Sequence, residues 1–178
     1  MMNKHPILAV CVVAFLANAA VHAEKSAGEH VDDTSMTARV KMALLEESAS
    51  DAIDINVETS MGVVQLAGFV DSEKVKSKAG QIAKDVDGVR DVSNRLTVKS
   101  GSRSAGRTLD DMTLAAKVKL ELVEDKRTNA GRINVEVRSA VVELSGFVDS
   151  YAERDAAVEL VSGIDGVSRV LNSIDITR

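Results

Sequence analysis

An internal repeat with a fixed offset of 78 residues constrains the fold of this chain more than any other feature. The segment Gly-Phe-Val-Asp-Ser occurs at residues 68–72 and again at 146–150. At that offset, without a gap, residues 33–98 align with residues 111–176, and 25 of the 66 positions are identical. Because a fixed internal period indicates a duplicated structural unit, the sequence predicts two tandem modules that share one architecture.

The hydrophobic pattern of each repeat runs in the order helix, strand, strand, helix, strand. Apolar residues recur at helical spacing, and two segments then alternate apolar and polar residues on either side of a turn, which lies at Ser60–Gly62 in the first repeat. A hairpin followed by a crossover helix brings the third strand parallel to the second. We therefore predict an α/β fold (an α+β sandwich) of two small modules, each with a three-stranded mixed sheet and two helices on one face.

Residues 1–23 have the features of a secretory signal peptide. Lys4 supplies a positive charge, residues 7–16 form an apolar stretch too short to span a membrane, and small residues provide two cleavage signals. We predict cleavage after Ala23, with Ala19 as the alternative. The chain is then exported to the periplasm.

The segments outside the repeats are polar. Residues 24–32 lack periodicity and predict a flexible lead-in, after which Asp33 or a hydroxyl residue next to it caps the first helix. Residues 99–110 are rich in Gly and Ser and carry three basic side chains. They predict a short basic linker between domain 1 (residues 33–98) and domain 2 (residues 111–178).

Composition narrows the classes of function. The only cysteine, Cys11, lies in the predicted signal peptide, and the bulky Val10 before it disfavours lipidation. We therefore predict an unlipidated periplasmic chain without disulfides, and we expect a monomer. A formal net charge of −5 disfavours general nucleic-acid binding.

Residues that support catalysis or metal binding are scarce. Without residues 1–23 the chain keeps no cysteine and one histidine, His30. A catalytic nucleophile needs a rigidly held base, and zinc needs several Cys or His ligands, so we predict no enzyme and no metal or other cofactor. The acid pairs at 32–33 and 110–111 could attract a hard cation, but such pairs more often act as helix caps and dipole partners.

Two glycines and two asparagines recur at matching positions of the repeats, and we interpret all four as structural. Gly68 and Gly146 lie late in a predicted strand, where glycine indicates a bulge or a close backbone approach. Asn94 and Asn172 lie on the core face by strand alternation, and a buried amide must find partners. The expected partner is a helix, which the amide would fix to the sheet; ligand binding is the alternative.

Phe69 and Phe147 are the candidate partner surface. Strand alternation points them away from Val64 and Leu66, towards the less apolar face of the sheet. Packing between the two repeats is the first interpretation. A surface for unfolded polypeptides is the second.

Four basic residues are the candidate contact for anionic lipid. Lys74 and Lys78 lie on the predicted second helix, and Arg103 and Arg107 lie in the predicted linker. Anionic headgroups attract such residues by roughly 1 kcal/mol each near the surface. A solvated helix face is the alternative interpretation.

The order of these elements and the motifs at their ends resemble the BON domain family over essentially the whole predicted mature chain. A Gly-x-Val motif and the Asp-Ser helix start that follows it are present in both copies, at 68–72 and 146–150, as are the closing segments at 88–96 and 166–174. The chain departs from the pattern at Ala140, which stands where the first hairpin turn has Gly62. The turn type of the second repeat is therefore open.

The resemblance implies a non-enzymatic role in the bacterial envelope. Members of the family are associated with osmotic and envelope stress, and with chaperone-like help to exported or outer-membrane proteins. The implied partners are unfolded or outer-membrane-bound polypeptides, with an anionic phospholipid surface and potassium sensing as the alternatives. No residue assignment follows from the resemblance, because none of these activities has a short sequence signature.

Overall fold

The computed structural model of the protein describes residues 27–47, 54–98 and 105–177, which contain the predicted elements in the predicted order. Module one comprises helix α1 (Ala27–Glu47), strands β1 (Ile55–Ser60) and β2 (Val63–Val70), helix α2 (Glu73–Lys84), and strands β3 (Asp91–Asn94) and β4 (Thr97–Val98). Module two comprises helix α3 (Ala105–Glu124), strands β5 (Ile133–Arg138) and β6 (Val141–Val148), helix α4 (Tyr151–Ser162) and strand β7 (Arg169–Ile176). The predicted signal peptide lies outside the described residues.

Each module arranges its strands around a central second strand, and the predicted mixed sheet is confirmed. β2 pairs antiparallel with β1 and parallel with β3, and β6 pairs antiparallel with β5 and parallel with β7. The last strand of module one is interrupted at Arg95 and Leu96, so that β4 rejoins β2 after the break. Module one therefore has four strands in its sheet, where module two has the predicted three.

Aliphatic side chains fill a separate core in each module. In module one, α1, α2 and the sheet contribute fully buried residues that include Val40, Val64, Leu66 and Ala83. In module two, the matching residues include Val118, Val142, Leu144 and Val161. Truncating a buried Leu to Ala costs about 2–5 kcal/mol, so each core supplies a large share of the stability of its module.

The two sheets face each other through the faces that carry no helix. The molecule therefore has four layers: helices, sheet, sheet, helices. Both faces of the central strands are buried as a result; Gln65 and Phe69 on the inner face of β2 are each 1% exposed, as is Glu143 on β6. Polar residues on this face must find their hydrogen-bond partners in the other module.

The first helix of each module begins earlier than the sequence predicted. α1 includes residues 27–32, which were assigned to the flexible lead-in, and α3 includes residues 105–110, which were assigned to the linker. Residues 99–104 lie outside the described residues. Asp33 consequently lies inside α1 and does not cap it, because the helix starts six positions upstream.

Asp33 and Asp111 instead fasten the hairpin turns of their modules. Each buried carboxylate accepts the two consecutive backbone N–H groups of the turn. The donors are Met61 (2.8 Å) and Gly62 (2.9 Å) in module one, and Ser139 (2.8 Å) and Ala140 (3.0 Å) in module two. Since all four turn residues have φ between 53° and 78°, both turns are of type I′, and the change from Gly62 to Ala140 leaves the turn type unaltered.

Removing the Asp111 carboxylate should destabilise module two. Asp111→Ala leaves the N–H groups of Ser139 and Ala140, two non-glycine residues held at positive φ, without their charged acceptor. We expect the free energy of unfolding to fall by about 2–3 kcal/mol, measured by urea denaturation. Asp110→Ala, one position earlier and exposed, is the matched control and should change it by less than about 0.5 kcal/mol. Equal effects of the two substitutions would contradict this role of Asp111.

Candidate functional site

The interface between the modules is built from side chains that bind the backbone of the opposite module. The Gln65 amide oxygen accepts from Gly146 N–H at 2.7 Å, and Gln65 Nε2 lies 3.4 Å from the Gly146 carbonyl oxygen. Gln65 Nε2 also donates to the Ser173 carbonyl at 2.9 Å and to the Asp175 carboxylate at 2.8 Å. A single amide of β2 thus contacts the backbone of both β6 and β7.

Glu143 is the counterpart of Gln65 in module two. Its Oε2 accepts from Gly68 N–H at 2.9 Å, and its Oε1 accepts from the Ser173 hydroxyl at 2.8 Å. Burial raises the pKa of Glu143 to about 7, because the charged carboxylate is removed from water. The two hydrogen bonds and the more distant Lys76 act against that increase, and the negative charge of Glu136 adds to it.

Two further contacts show that the interface is close to two-fold symmetric. Asn56 Nδ2 donates to Glu136 Oε2 at 2.9 Å, and Asn134 Nδ2 donates to Glu58 Oε1 at 3.1 Å. Asn134 and Glu136 lie 78 positions after Asn56 and Glu58, so each module makes the same contact to the other. Interfaces of this reciprocal kind are isologous.

Gly68 and Gly146 lie where the sheets meet, and both need to be glycine. Their φ values are +117° and +119°, in the region that L side chains rarely adopt. A Cβ on Gly68 would overlap the carbonyl oxygen of Asp54, and a Cβ on Gly146 would overlap that of Arg132. Each glycine thus allows its strand to lie close to the backbone just before the first strand of the same module. Its N–H donates a hydrogen bond to a side chain of the opposite module.

Phe69 and Phe147 lie on the inner face of the sheets, where packing between the repeats was the first interpretation. Phe69 is 1% exposed, so it is not available to a partner. Phe147 is half-buried and lines a cleft between the modules. The two sheets cover this face, so of the two rings only Phe147 remains accessible, from the cleft.

Asn94 and Asn172 differ in their surroundings although they match in sequence. Asn94 Nδ2 donates to the Lys76 carbonyl of α2 at 2.8 Å, which ties the helix to the sheet. Gly80 makes room for that amide, because a Cβ there would lie 2.6 Å from Asn94 Nδ2. The prediction that a buried amide fixes the helix to the sheet is wrong for Asn172, which is exposed; the position matching Gly80 in module two is Val158.

The basic residues of the candidate lipid contact that the structure describes are divided between the two modules. Lys74 is exposed on α2, and Lys78 on the same helix pairs with the Glu47 carboxylate at 3.2 Å. Arg107 is exposed in the first turn of α3, which belongs to the other module. Arg103 lies outside the described residues.

The outer face of the first helix in each module carries an apolar stripe that our sequence analysis missed. On α3 the stripe is formed by Leu109, Met112, Leu120 and Val123, which are 56–68% exposed, with Ala116 between them. On α1 it includes Met42 and Leu45, which are 61% and 50% exposed and which match Leu120 and Val123 in the repeat. The signal was present as a second apolar periodicity beside the core positions Leu114, Val118 and Leu122.

Metal-binding clusters and membrane-spanning helices are both absent from the described part of the chain. Within residues 27–47, 54–98 and 105–177, no three His, Cys, Asp or Glu side chains are grouped so that they could hold a metal ion. None of the described helices is both long and apolar enough to cross a membrane.

Comparison with known proteins places the two modules in context. The profile of the BON domain matches residues 32–100 and 110–178. The chain is 32% identical over 187 residues to Osmotically-inducible protein Y of Escherichia coli, covering 94% of this chain and 93% of that protein. It is 31% identical over 167 residues to Outer membrane lipoprotein DolP of Haemophilus influenzae (90% and 86% covered). It is 27% identical over 153 residues to the 21 kDa hemolysin of Actinobacillus pleuropneumoniae (85% and 77% covered).

Proposed function

This chain belongs to the BON domain family, and we propose that it is a non-enzymatic protein of the bacterial envelope that engages exported or unfolded polypeptides during osmotic stress. Two relatives support the envelope and stress assignment through their names, Osmotically-inducible protein Y and Outer membrane lipoprotein DolP. The export features of residues 1–23 agree with a periplasmic location.

The apolar stripes on α1 and α3 are the observation that carries the polypeptide-binding proposal. Large apolar side chains that lie in a row on an exposed helix face are uncommon in proteins without partners, where single exposed residues are the norm. Leu120 and Val123 are 56% and 68% exposed although the rest of α3 packs a core. A row of this kind can hold unfolded chains weakly, without nucleotide and without a catalytic residue.

The arrangement of the layers strengthens this interpretation. Because the helices form the two outer layers, the stripe of α1 and the stripe of α3 lie on opposite sides of the molecule. A polypeptide with several apolar segments could contact both sides or bridge two molecules. Two weak contacts on one chain give an avidity greater than either contact alone.

The proposal is tested by the ability of residues 24–178 to suppress aggregation of an unfolded outer-membrane protein, without lipid or nucleotide. We expect suppression at near-stoichiometric amounts. The double variant Leu120→Gln/Val123→Gln should need several-fold more protein for the same effect, because it removes apolar surface from α3. Gln is chosen because its helix propensity is close to that of Leu.

Tyr151→Gln is the matched control, since Tyr151 is a large exposed side chain of α4 that lies outside both stripes and is 65% exposed. It should leave the suppression unchanged. Absence of suppression by the unaltered chain, or equal suppression by the double variant, would sink the polypeptide-binding proposal.

An anionic lipid surface is the second candidate, because basic residues flank both stripes. Arg39 and Lys41 accompany the α1 stripe, and Lys117 and Lys119 occupy the matching positions on α3. Amphipathic helices with this arrangement can lie on anionic membranes. Binding to anionic vesicles that falls steeply with salt, without suppression of aggregation, would assign the stripes to lipid instead of polypeptide.

A further inference from the structure

The two-fold symmetry of the module interface is broken where β1 and β5 reach their hairpin turns. Arg138 ends β5, and its counterpart 78 positions earlier, at the end of β1, is Ser60. Each residue pairs with the first residue of the following strand, Val141 and Val63 respectively. A long guanidinium side chain on one side of the interface thus corresponds to a single hydroxymethyl group on the other.

On the Arg138 side the interface is closed. The Arg138 side chain is only 7% exposed, and its Nη2 donates to Asp71 Oδ1 of the opposite module at 2.7 Å. Asp71 immediately follows β2, so Arg138 reaches from the end of β5 to the end of β2 in the opposite module. Phe69 is correspondingly 1% exposed.

On the Ser60 side a cleft of about 320 Å³ remains between the modules. Its lining includes Ser60 and Glu58 from module one, and Phe147 and Arg132 from module two. Phe147, the counterpart of Phe69, is only half-buried here. The cleft thus opens beside Ser60 and Phe147, whose counterparts Arg138 and Phe69 are buried on the other side of the interface. Its volume lies within the range of about 300–1,000 Å³ that is usual for small-molecule sites.

The polar groups of the cleft include a carboxylate with unused acceptor positions and a buried hydroxyl. Glu58 Oε1 accepts one hydrogen bond, from Asn134, and a carboxylate has about four acceptor positions. The Ser60 hydroxyl is 4% exposed and has no hydrogen bond to any of the described residues, which is unusual for a buried polar group. We propose that this cleft binds a guanidinium group, supplied by an arginine in a polypeptide or by a free guanidinium compound.

A guanidinium fits these surroundings better than other cations. It carries five N–H donors in a plane and can stack on an aromatic face, which matches the Glu58 carboxylate, the Ser60 hydroxyl and the Phe147 ring. The cleft already contains one guanidinium, that of Arg132, which is held in an ion pair by Asp149. Among the residues that line the cleft, the two carboxylates of Asp33 and Glu58 outnumber the one positive charge, that of Arg132.

The site is tested on residues 24–178 by NMR, from the backbone amide shifts of Thr59 and Gly131, which both line the cleft. The probes are Nα-acetyl-arginine amide and its neutral isostere Nα-acetyl-citrulline amide. We expect the arginine derivative to bind at least about tenfold more tightly, because charge-assisted hydrogen bonds are roughly twice as strong as neutral ones. Titration with a short arginine-containing peptide distinguishes the sources: tighter binding than the blocked amino acid indicates a polypeptide, and equal binding indicates a free guanidinium compound.

Two variants make the assignment specific. Ser60→Arg should fill the cleft as Arg138 fills its counterpart, and it should abolish binding. Ser77→Arg adds the same charge to an exposed position of α2 and should leave binding unchanged. Glu58→Gln should weaken binding about tenfold, while its amide oxygen can still accept from Asn134. This variant therefore tests guanidinium binding in the cleft even where Ser60→Arg does not fold.

Equal binding of the arginine and citrulline probes would overturn the proposal, as would a failure of either probe to shift the two amides. Unchanged arginine binding by a folded Ser60→Arg protein would also overturn it. Leu120 and Val123 take no part in guanidinium binding. A loss of guanidinium binding and a loss of aggregation suppression are therefore separate results.

Discussion

Gly68→Ala is expected to lower the free energy of unfolding by about 3–5 kcal/mol, which is among the largest effects of a single methyl group. The substituted residue would keep a φ near +117°, and its Cβ would overlap the carbonyl oxygen of Asp54. Relief requires β1 and β2 to separate, which also withdraws the Gly68 N–H from Glu143. Urea or thermal denaturation of residues 24–178 measures the change.

The matched control is Gly106→Ala. Gly106 lies in α3 with open space around it, so alanine there should stabilise the protein by about 0.5–1 kcal/mol through its higher helix propensity. Gly146→Ala should behave like Gly68→Ala, because its Cβ would overlap the carbonyl oxygen of Arg132. A loss below about 1 kcal/mol for Gly68→Ala would show that the strands relax easily and that the close approach is not required.

Glu143→Gln should stabilise the protein above neutral pH and leave it almost unchanged in acid. Since the pKa of Glu143 in the folded state is about 7, against 4.5 for an ordinary glutamic acid, the folded state holds this proton more tightly than the unfolded chain. The contribution of Glu143 to stability is therefore fully present below pH 4.5 and is lost as the pH rises through 7. The loss amounts to ~3 kcal/mol, and the neutral amide avoids it.

The structure already contains the arrangement that the variant would adopt. Gln65 occupies the matching position in module one and lies against both the N–H and the carbonyl of Gly146. The amide that Glu143→Gln introduces can make the same pair with Gly68. The measurement is the difference in the free energy of unfolding between the two proteins from about pH 4.5 to 8.5, because the contributions of the other titrating groups cancel in that difference.

Glu124→Gln, at an exposed position at the end of α3, is the control for removing one negative charge. It should shift stability by less than about 0.5 kcal/mol at every pH. A stability difference between Glu143→Gln and the unaltered chain that stays constant from about pH 5 to 8 would show that Glu143 carries its ordinary charge in the folded state.

The repeat and the alternation of apolar residues were sufficient to predict the architecture of each module. The alternation of Val64 and Leu66 with Gln65 placed the helices on one face of β2, and the hairpin and the crossover helix gave the mixed sheet. Local sequence patterns could not predict the contacts that a residue makes with parts of the chain that are distant in sequence. Asp33 looked like a helix cap because an acid stood before an apolar periodicity, whereas its carboxylate serves a turn 28 residues away.

The candidate site was less predictable for the same reason. Phe69 and Gln65 lie on the same face of β2, and only the docking of the second sheet shows that this face is interior. Asn94 and Asn172 are matched in position along their strands, but only Asn94 has a glycine, Gly80, on the helix beside it; the matching helix position in module two is Val158. The apolar stripes were detectable in principle, since Leu120 and Val123 recur at helical spacing on a face that the core does not use.

The difference between Gln65 and Glu143 determines how many ionisable groups lie at the centre of the interface between the modules. In a dimer of identical modules every contact occurs twice, so the central positions would hold either two amides or two acids. Two fused copies can differ in sequence, and this chain has one amide and one acid at the two positions that the pseudo-symmetry relates. The contact between the modules can thus respond to a proton at one ionisable group, Glu143, whereas a symmetric pair of acids would place two coupled titrating groups there.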